Sequence, residues 1–449
     1  MHSDETGYGS IETSSSYESI VGKRNAFLSP SLTTFQAYSK PLVLTRGQGQ
    51  YLWDVHDRRY IDLLAQNLCI SVGYNHPLVT AEVRRQMDTL EHCTTMYYHA
   101  VPAHFAEELA SRFPGGEDWV VHFVNSGSEA IDLALLMARL YTGNFEIIAL
   151  RNSYHGLHFG AMSLTGIDTC RHAVPPAPGI VHVANPDQYR GIFGATTGPY
   201  VDELDHTIGA STPGRIAGFI VEPIQGFGGV IPVPPGYLSP AFQRVRDAGG
   251  LCIVDEVQTG FTRTGSHFWG FESHDVVPDI VVLGKGIGNG HPLSAVVVKR
   301  AIAESLAGRK FFNTYGSNPM ACAAGRAVLR AIDEDRTQTN ARDVGHYMKE
   351  RLMDLGTRYD VIGDVRGTGL MIGVELVKDR KTKEPAGEEA GHIAERAKDN
   401  GVIIGKGGAR GNVLRINPPL CIEKKDVEQV ADVLDDSFRH LYRGSGLNS

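Results

Sequence analysis

The sequence predicts an α/β protein whose large domain has a mainly parallel central sheet and whose smaller C-terminal domain is of the α+β type. From Trp119 onward, apolar runs of strand length alternate with segments of helical periodicity, a pattern typical of parallel sheets covered by helices. Beyond Arg336 the chain is more charged and again alternates helix and strand. At 449 residues the chain is also too long for one hydrophobic core.

Composition shifts along the chain indicate where these domains begin and end. We expect an N-terminal arm and β meander over residues 1–75, a large domain over residues 76–333 and a small domain over residues 334–449. Residues 1 to about 25 are polar and lack periodicity, which predicts an arm that is mobile or packs on a partner subunit. Residues 175–199 contain too few apolar residues to predict regular structure.

The composition narrows the class of partner. The apolar fraction of 42% is ordinary for an enzyme, and the net charge of -8 argues against a nucleic-acid or acidic-membrane surface, so a small-molecule partner is favoured. The six cysteines have no CxxC spacing, which predicts reduced thiols. Residues 1–16 contain acids and no arginine, and no apolar stretch has the length of a membrane span, so we expect a cytoplasmic protein. No metal site is expected, because His155 and His158 lack a third ligand at suitable spacing.

Two apolar runs lead to a lysine and an aspartate, a pair of residues that can act together in catalysis. Residues 280–283 lead through Gly284 to Lys285, and residues 251–254 lead directly to Asp255. Because ligands bind at the carboxyl ends of parallel strands, both side chains should face one crevice. A desolvated lysine forms Schiff bases, and an acid beside a ring nitrogen keeps that nitrogen protonated, which is the outline of pyridoxal phosphate chemistry. The alternative is a lysine whose amine simply reaches the surface.

A phosphate site is the third requirement of that chemistry. The strand at residues 119–124 runs into Ser126, Gly127 and Ser128, after which a helix begins. Such a turn directs backbone N–H groups at one spot, where the helix dipole also favours an anion. The same residues fit an ordinary serine N-cap equally well. Tyr154 follows another strand and is placed to stack on a flat ring.

Six stretches share the order and spacing of one family: residues 125–130, 154–156, 222–226, 255–261, 285–286 and 415–420. Together they resemble the class III (omega-type) pyridoxal-phosphate aminotransferases, which have the transferase fold type I. Three further stretches, at residues 265–271, 284–290 and 363–373, are most similar to the second type of alanine-glyoxylate aminotransferase and its phospho-lyase relatives.

The resemblance implies roles for single residues at the cofactor. Lys285 is the lysine that forms the imine and shuttles the proton, and Asp255 pairs with the pyridinium nitrogen. Gln258 hydrogen-bonds the ring hydroxyl oxygen, while Val257 and Tyr154 lie on the two faces of the ring. The other cofactor-binding residues implied are Ser126, Gly127 and Ser128 at the phosphate, with His155 and Glu222 from the matching motifs.

The resemblance also implies a homodimer, which leaves open whether dimers pair into tetramers. Thr314 matches a threonine that reaches the phosphate from the neighbouring subunit. Tyr97 falls in a region that lines the substrate pocket in the family, although packing alone explains it equally well.

Arg415 matches the carboxylate-binding arginine of the family, a task that suits the planar guanidinium fork. In members with two substrates of different length, a glutamate five positions after the glutamate of the Glu-Pro-Ile-Gln motif holds this arginine. Here Phe227 takes that position and adds an apolar wall. Arg415 is therefore expected to bind a carboxylate in each half-reaction, which fits small acceptors such as pyruvate or glyoxylate.

These inferences predict an aminotransferase that moves an amino group from an amino acid or primary amine to a small 2-oxo acid by a ping-pong mechanism through a Lys285 imine. The alternative is a pyridoxal-phosphate-dependent phospho-lyase that acts on a phosphorylated amine. Such an enzyme should carry extra basic residues at the substrate end, and none is evident near Tyr97 or Phe227. The identity of the amino donor stays open.

Overall fold

The computed structural model describes residues 16–33, 38–116, 118–308 and 310–445. Its strands, in chain order, are β1 (Leu44–Gln48), β2 (Tyr51–Asp54), β3 (Arg59–Asp62), β4 (Trp119–Val124), β5 (Ile147–Leu150), β6 (Ile180–Val183), β7 (Gly218–Val221), β8 (Ile224–Gln225), β9 (Ile231–Pro232), β10 (Leu251–Asp255), β11 (Ile280–Leu283), β12 (Ser294–Lys299), β13 (Ile362–Thr368), β14 (Met371–Leu376), β15 (Val402–Ile403), β16 (Gly405–Gly407) and β17 (Val413–Ile416).

The helical segments are α1 (Tyr17–Phe27), α2 (Ala65–Leu68), α3 (Pro77–Met87), α4 (Ala100–Ala110), α5 (Gly127–Thr142), α6 (Phe159–Leu164), α7 (Gly198–Ser211), α8 (Leu238–Asp247), α9 (Arg300–Ala303), α10 (Pro319–Glu334), α11 (Thr337–Arg358), α12 (Gly387–Asp399) and α13 (Lys424–Ser445). Short 3-10 turns occur at Pro30–Thr33, Asp168–Cys170, Gly270–His274, Lys285–Gly288 and Glu304–Leu306. Among these described helices, none is both long enough and apolar enough to cross a bilayer.

A seven-stranded sheet with the order β4-β12-β11-β10-β7-β5-β6 forms the centre of the large domain. The pairs from β11 to β6 are all parallel, whereas β12 runs antiparallel to both β11 and β4. Strand β4 therefore points in the same direction as β10 and β11. The carboxyl ends of the parallel strands meet at one edge of the sheet, so the predicted α/β fold class with a mainly parallel sheet is confirmed.

Both faces of this sheet are covered by helices, which explains why its central strands are apolar throughout. Ile253 and Val282 point into the hydrophobic cluster that contains the buried face of α5. Val254 and Val281, their neighbours in sequence, point into the opposite cluster, to which α8 and α10 contribute. The two clusters hold the strand ends in a fixed relation to each other.

Residues 175–199 include a β-strand, so the expectation that this segment has no regular structure is wrong. Ile180–Val183 forms the edge strand β6, which pairs in parallel with β5 from Ile147↔Ile180 to Leu150↔Val183. Three of its four residues are β-branched, a composition that suits a strand once a neighbouring strand is available. The segment was too short for its periodicity to show in the sequence.

The small domain combines the antiparallel sheet β13-β14-β17-β16 with helices α11, α12 and α13. The N-terminal meander β1-β2-β3 joins it, because β15 pairs in parallel with β3 and Ile61 lies opposite Val402. Ile61 and Leu63 are buried in the same hydrophobic cluster as residues of α11 and α13. The chain segment that precedes the large domain is thus packed into the core of the small domain.

The expected N-terminal arm falls partly outside the described residues, since the description begins at Ser16. Within it, Tyr17–Phe27 forms a helix that the sequence pattern did not indicate. Ser16 caps this helix by accepting a hydrogen bond from the Ser19 N–H, and none of the helical residues is buried.

Candidate active site

A cavity of about 650 Å³ lies where the carboxyl ends of the central strands face the small domain. The predicted site residues that line it are Ser126, Gly127, Ser128, Tyr154, His155, Phe227, Asp255, Val257, Gln258, Lys285 and Arg415. The structure thus brings most of the predicted site residues to one cavity, although they are spread over almost 300 positions of the chain.

Lys285 is held between a strand end and a short turn. Strand β11 ends at Leu283, and Lys285 has a positive φ of 47° and opens the 3-10 turn that ends at Gly288. Desolvation lowers the pKa of the Lys285 amine, and the nearby negative charge of Asp255 opposes this shift. An amine with a lowered pKa is more readily neutral and therefore more nucleophilic.

Asp255, at the end of β10, forms a buried pair with His155. Its Oδ2 lies 2.8 Å from His155 Nδ1, and its Oδ1 accepts a hydrogen bond from the Val257 N–H at 3.0 Å. The Nε2 atom of His155 is buried and has no hydrogen-bond partner among the described residues. Two hydrogen bonds thus fix the carboxylate at the cavity wall.

Glu222 does not line the cavity but lies behind Tyr154. Its carboxylate accepts hydrogen bonds from the backbone N–H groups of Tyr154 at 2.9 Å and Gly226 at 3.1 Å. Burial raises the pKa of Glu222 to about 7. The residue joins the segment after β5 to the segment after β7, and thereby positions the Tyr154 ring at the cavity.

The N-terminus of the 16-residue helix α5 opens onto the cavity. Ser126 is its N-cap and accepts from the Glu129 N–H at 3.2 Å, so the N-cap interpretation is correct. The same turn suits a phosphate, because the first backbone N–H groups of a helix point outward toward an anion. Gly156 closes the turn: its φ is +120°, and a Cβ there would lie 2.2 Å from Ser128 Oγ. Only glycine allows the two segments to approach this closely.

Arg415 extends from β17 of the small domain into the cavity and is 2% exposed. Its Nη2 donates to Gln258 Oε1 at 3.0 Å and its Nη1 to Asn67 Oδ1 at 3.5 Å. Its Nε is buried and finds no acceptor in the described part of the chain. Burial lowers the pKa of Arg415 to about 10, so it remains a cation at neutral pH. No carboxylate among the described residues forms an ion pair with it. The buried guanidinium therefore has N–H donors available for the carboxylate of a substrate.

The two glycines of β16 leave room for neighbouring side chains, Gly407 for Arg415 and Gly405 for Leu64. A Cβ on Gly407 would lie 2.5 Å from Arg415 Cδ, and one on Gly405 would lie 2.5 Å from Leu64 Cδ1. Lys406, between them, also borders the cavity, but its Nζ lies beside Gly391 of α12. Because side chains alternate along a strand, the amine of Lys406 is on the face away from Arg415.

Sequence reasoning missed the residues that line the other end of the cavity. They come from four separate parts of the chain and are Tyr38, Leu64, Asn67, Cys170, Ile403 and Ile404. No motif links these positions, so the sequence offered no signal for them. Except for Asn67 and the Tyr38 hydroxyl, they contribute apolar surface to the cavity.

Tyr97 and Thr314 do not line the cavity of the single chain. Tyr97 is 67% exposed and Thr314 is also exposed. They share the surface with other exposed aromatic residues, which are Tyr98, Phe311, Phe312 and Tyr315.

The chain matches the family model described as aminotransferase class III over residues 34–438. The protein belongs to the class III aminotransferases. It is therefore a transaminase of the pyridoxal-phosphate-dependent fold type I, and pyridoxal phosphate is its cofactor. The cavity fits this group: Lys285 offers the amine, Asp255 the acid, and α5 the anion site. In the part of the chain that the structure describes, no cluster of three or more His, Cys, Asp or Glu side chains is suited to a metal ion.

Similar proteins support this class III assignment. A relative named alanine–glyoxylate aminotransferase 2 homolog 2, mitochondrial, from Arabidopsis thaliana is 49% identical, covering 96% of this chain and 89% of that protein. An (S)-enantioselective omega-transaminase from Thermomicrobium roseum superimposes with a TM-score of 0.88 at 32% identity, covering 96% of this chain and 100% of that chain. A phospholyase from Arthrobacter in complex with phosphoethanolamine has a TM-score of 0.86 at 32% identity, covering 94% of this chain and 99% of that chain.

Proposed function

We propose that this class III aminotransferase transfers an amino group from an amino acid or primary amine to a small 2-oxo acid, pyruvate or glyoxylate, by a ping-pong mechanism. The observation that carries the proposal is Arg415, a buried cation that lines the same cavity as Lys285 and has no ion-paired carboxylate among the described residues. Burying a positive charge without an ion-paired negative charge is unfavourable, and the carboxylate of a substrate would supply that negative charge.

The residues around the cavity divide the remaining work. Pyridoxal phosphate, when bound, supplies an electron sink for the charge left when the substrate loses its alpha proton. Lys285 is the residue that would hold the cofactor, and its Nζ is placed at the cavity where it would move that proton. Its lowered pKa suits an amine that must accept and return a proton near neutral pH. Asp255, oriented by His155, would keep the pyridine nitrogen of the cofactor protonated.

Phe227 favours small acceptors. Its ring lies 5.3 Å from the Tyr154 ring and 5.8 Å from the Arg415 guanidinium, so it forms a wall at the substrate end. A glutamate at this position would compete with substrate for Arg415, and phenylalanine does not. The same arginine is then available to the carboxylate of donor and acceptor in turn.

The phospho-lyase alternative is less well supported. Its substrate carries a phosphate at the far end, which calls for a second cation there. Among the described residues that line the cavity, Lys406 is the remaining lysine or arginine after Lys285 and Arg415, and its amine lies on the other face of β16. Because a phospholyase has the same fold, substrate assays must separate the two functions.

We also propose that the protein is a homodimer in which Thr314 and Tyr97 of one copy complete the site of the other. Their exposure in the single chain, beside Phe312 and Tyr315, is consistent with a surface that a second copy covers. Sedimentation of the holoenzyme distinguishes monomer, dimer and tetramer. A stable monomer with full activity would contradict the proposal.

Cytoplasmic location remains a proposal from the sequence, and the Arabidopsis relative carries the word mitochondrial in its name. Fractionation of cells that express the full chain tests it.

The experiment that tests the function follows the absorption band of the protein-bound cofactor while L-alanine is added. We expect loss of the band and formation of one pyruvate per site, because the amino group stays on the enzyme after the first half-reaction. Glyoxylate should then restore the band. A band that persists with L-alanine and other amines contradicts the proposal, and release of inorganic phosphate from phosphoethanolamine would favour the phospho-lyase.

A further inference from the structure

Four successive residues at the mouth of the active site have a left-handed backbone. Their φ angles are 50° at Ala65, 49° at Gln66, 58° at Asn67 and 67° at Leu68, and none of them is glycine. Left-handed backbone is unfavourable for residues with a Cβ atom, and a run of four is exceptional. Such strain persists where the surrounding structure over-determines it, and it clusters at functional sites.

The buried carboxylate of Asp62 holds this turn. Its Oδ1 accepts hydrogen bonds from the backbone N–H groups of Leu64 at 2.8 Å and Ala65 at 3.0 Å, and its Oδ2 accepts from the Tyr74 hydroxyl at 2.6 Å. The turn is closed by a hydrogen bond of 2.9 Å from the Leu68 N–H to the Leu64 carbonyl. These hydrogen bonds stabilise the left-handed conformation of the turn.

The strained turn presents Asn67 to Arg415. Asn67 lines the cavity, and its Oδ1 lies 3.5 Å from Arg415 Nη1, at the outer limit of a hydrogen bond. This is the hydrogen bond that the Asn67 side chain makes within the described residues, so its two N–H donors are available to a ligand. Gln66, the preceding residue of the same turn, does not line the cavity.

We propose that Asn67 is the second anchor of the substrate carboxylate and a specificity-determining residue of this enzyme; the inference rests on the proposed carboxylate role of Arg415. One carboxylate oxygen accepts from the Arg415 guanidinium. The other accepts from Asn67 Nδ2 after the amide turns its donor toward the ligand. An asparagine offers either its oxygen or its N–H group, so it serves Arg415 in the empty site and the carboxylate in the filled one.

The neutral amide explains why this position favours carboxylate substrates. An acid at position 67 would pair with Arg415 and repel the substrate, and an apolar residue would offer no donor. Asparagine also tolerates left-handed backbone better than most residues, which suits it to this turn.

The test uses the holoenzyme and three variants. Asn67→Asp keeps the shape and the tolerance for left-handed backbone but replaces the donor by a negative charge. Asn67→Leu removes the donor. Gln66→Leu controls for damage to the turn, because it introduces the same side chain outside the cavity and also removes the hydrogen bond between Gln66 and Tyr74. Propionate, a carboxylate with no reactive amino or keto group, is titrated into each protein by calorimetry.

We expect the dissociation constant of propionate to rise about tenfold in Asn67→Leu, the effect of one lost hydrogen bond to a charged group, and further in Asn67→Asp. The Michaelis constant for pyruvate should rise in parallel, while that for 1-phenylethylamine, which has no carboxylate, should not change. Gln66→Leu should bind propionate as the wild type does.

Wild-type affinity for propionate in both Asn67 variants would overturn the inference, as would equal losses in Asn67→Leu and Gln66→Leu, which would indicate a purely structural turn. An Arg415→Ala variant separates the two proposals. If it also binds propionate normally, the carboxylate role of Arg415 fails; if it loses binding while the Asn67 variants retain it, the Asn67 inference alone fails.

Discussion

Arg415 Nη2 donates a hydrogen bond of 3.0 Å to Gln258 Oε1, and this bond joins the small domain to the large one at the active site. Gln258 lies three residues beyond Asp255, the last residue of β10, whereas Arg415 lies in β17. The residue that the family resemblance assigns to the cofactor hydroxyl thus also contacts the residue assigned to the substrate carboxylate. Movement of Arg415 toward a carboxylate changes this bond, so substrate binding and the orientation of Gln258 are coupled.

The first prediction concerns the guanidinium fork. Arg415→Lys keeps the positive charge but loses paired donation, so the Michaelis constant for pyruvate should rise about a hundredfold, as expected when charge-assisted bonds are lost. The constant for an amine without a carboxylate should change little. Steady-state kinetics with both substrates measure the difference. Equal increases for the two would remove Arg415 from the carboxylate role.

The second prediction concerns the lysine. Lys285→Ala should lose all measurable turnover and retain its fold, because no other amine that the structure describes faces the cavity. Lys406→Ala is the matched control: its amine lies beside Gly391 on the other face of β16, and its activity should equal that of the wild type. Turnover assays with circular dichroism as a fold check are sufficient. Wild-type turnover by Lys285→Ala would refute the assignment of Lys285.

The third prediction concerns the acid. Asp255→Asn keeps the size of the side chain and removes the charge that favours a protonated pyridine nitrogen. Cofactor affinity should fall, and kcat should fall more than about a hundredfold, because the electron sink weakens. Fluorescence titration with pyridoxal phosphate and single-turnover kinetics measure the two effects. Unchanged kcat in the saturated variant would exclude Asp255 from this role.

The fourth prediction concerns the space that Gly407 leaves for the Arg415 side chain. Gly407→Ala places a Cβ 2.5 Å from Arg415 Cδ and 3.0 Å from the Phe227 carbonyl oxygen, so the arginine must shift. We expect a higher Michaelis constant for pyruvate with a smaller effect on carboxylate-free amines. Gly209→Ala, where a Cβ meets nothing within 4 Å, is the control. Kinetics of Gly407→Ala that match the wild type would show that β16 yields instead.

The fifth prediction concerns pH. Burial raises the pKa of Glu256 from 4.5 to about 7, so the folded state binds a proton that the unfolded state releases between these values. The stability that Glu256 contributes is present below about pH 4.5 and is lost as the pH rises to about 7. In Glu256→Gln this contribution does not titrate. The wild type should therefore lose on the order of 3 kcal/mol relative to the variant over that range, since one pKa unit is worth about 1.4 kcal/mol.

Denaturant titrations of both proteins from pH 4.5 to 7.5 measure this difference. A difference in unfolding free energy that does not vary with pH would contradict a raised pKa at Glu256.

The residues that stand at the ends of the central strands could be identified from the amino-acid sequence. Lys285 and Asp255 follow buried apolar runs, and parallel strands end at one edge of a sheet, so their convergence was predictable from local pattern alone. The serine-rich turn before α5 was predictable for the same reason, since strand, turn and helix are neighbours in the chain. Family resemblance added the roles of these residues.

The residues at the substrate end of the cavity could not be identified without the three-dimensional structure. Asn67 reaches Arg415 through a left-handed turn that no propensity indicates, and Glu222 lies behind Tyr154 although its motif suggested direct contact with the cofactor. The placement of Asn67 depends on how the N-terminal meander packs against the small domain, whereas that of Glu222 depends on how the segments after β5 and β7 meet at the edge of the central sheet. Local sequence encodes strand and helix through nearby residues, whereas contacts between segments hundreds of positions apart are set by packing of the whole chain.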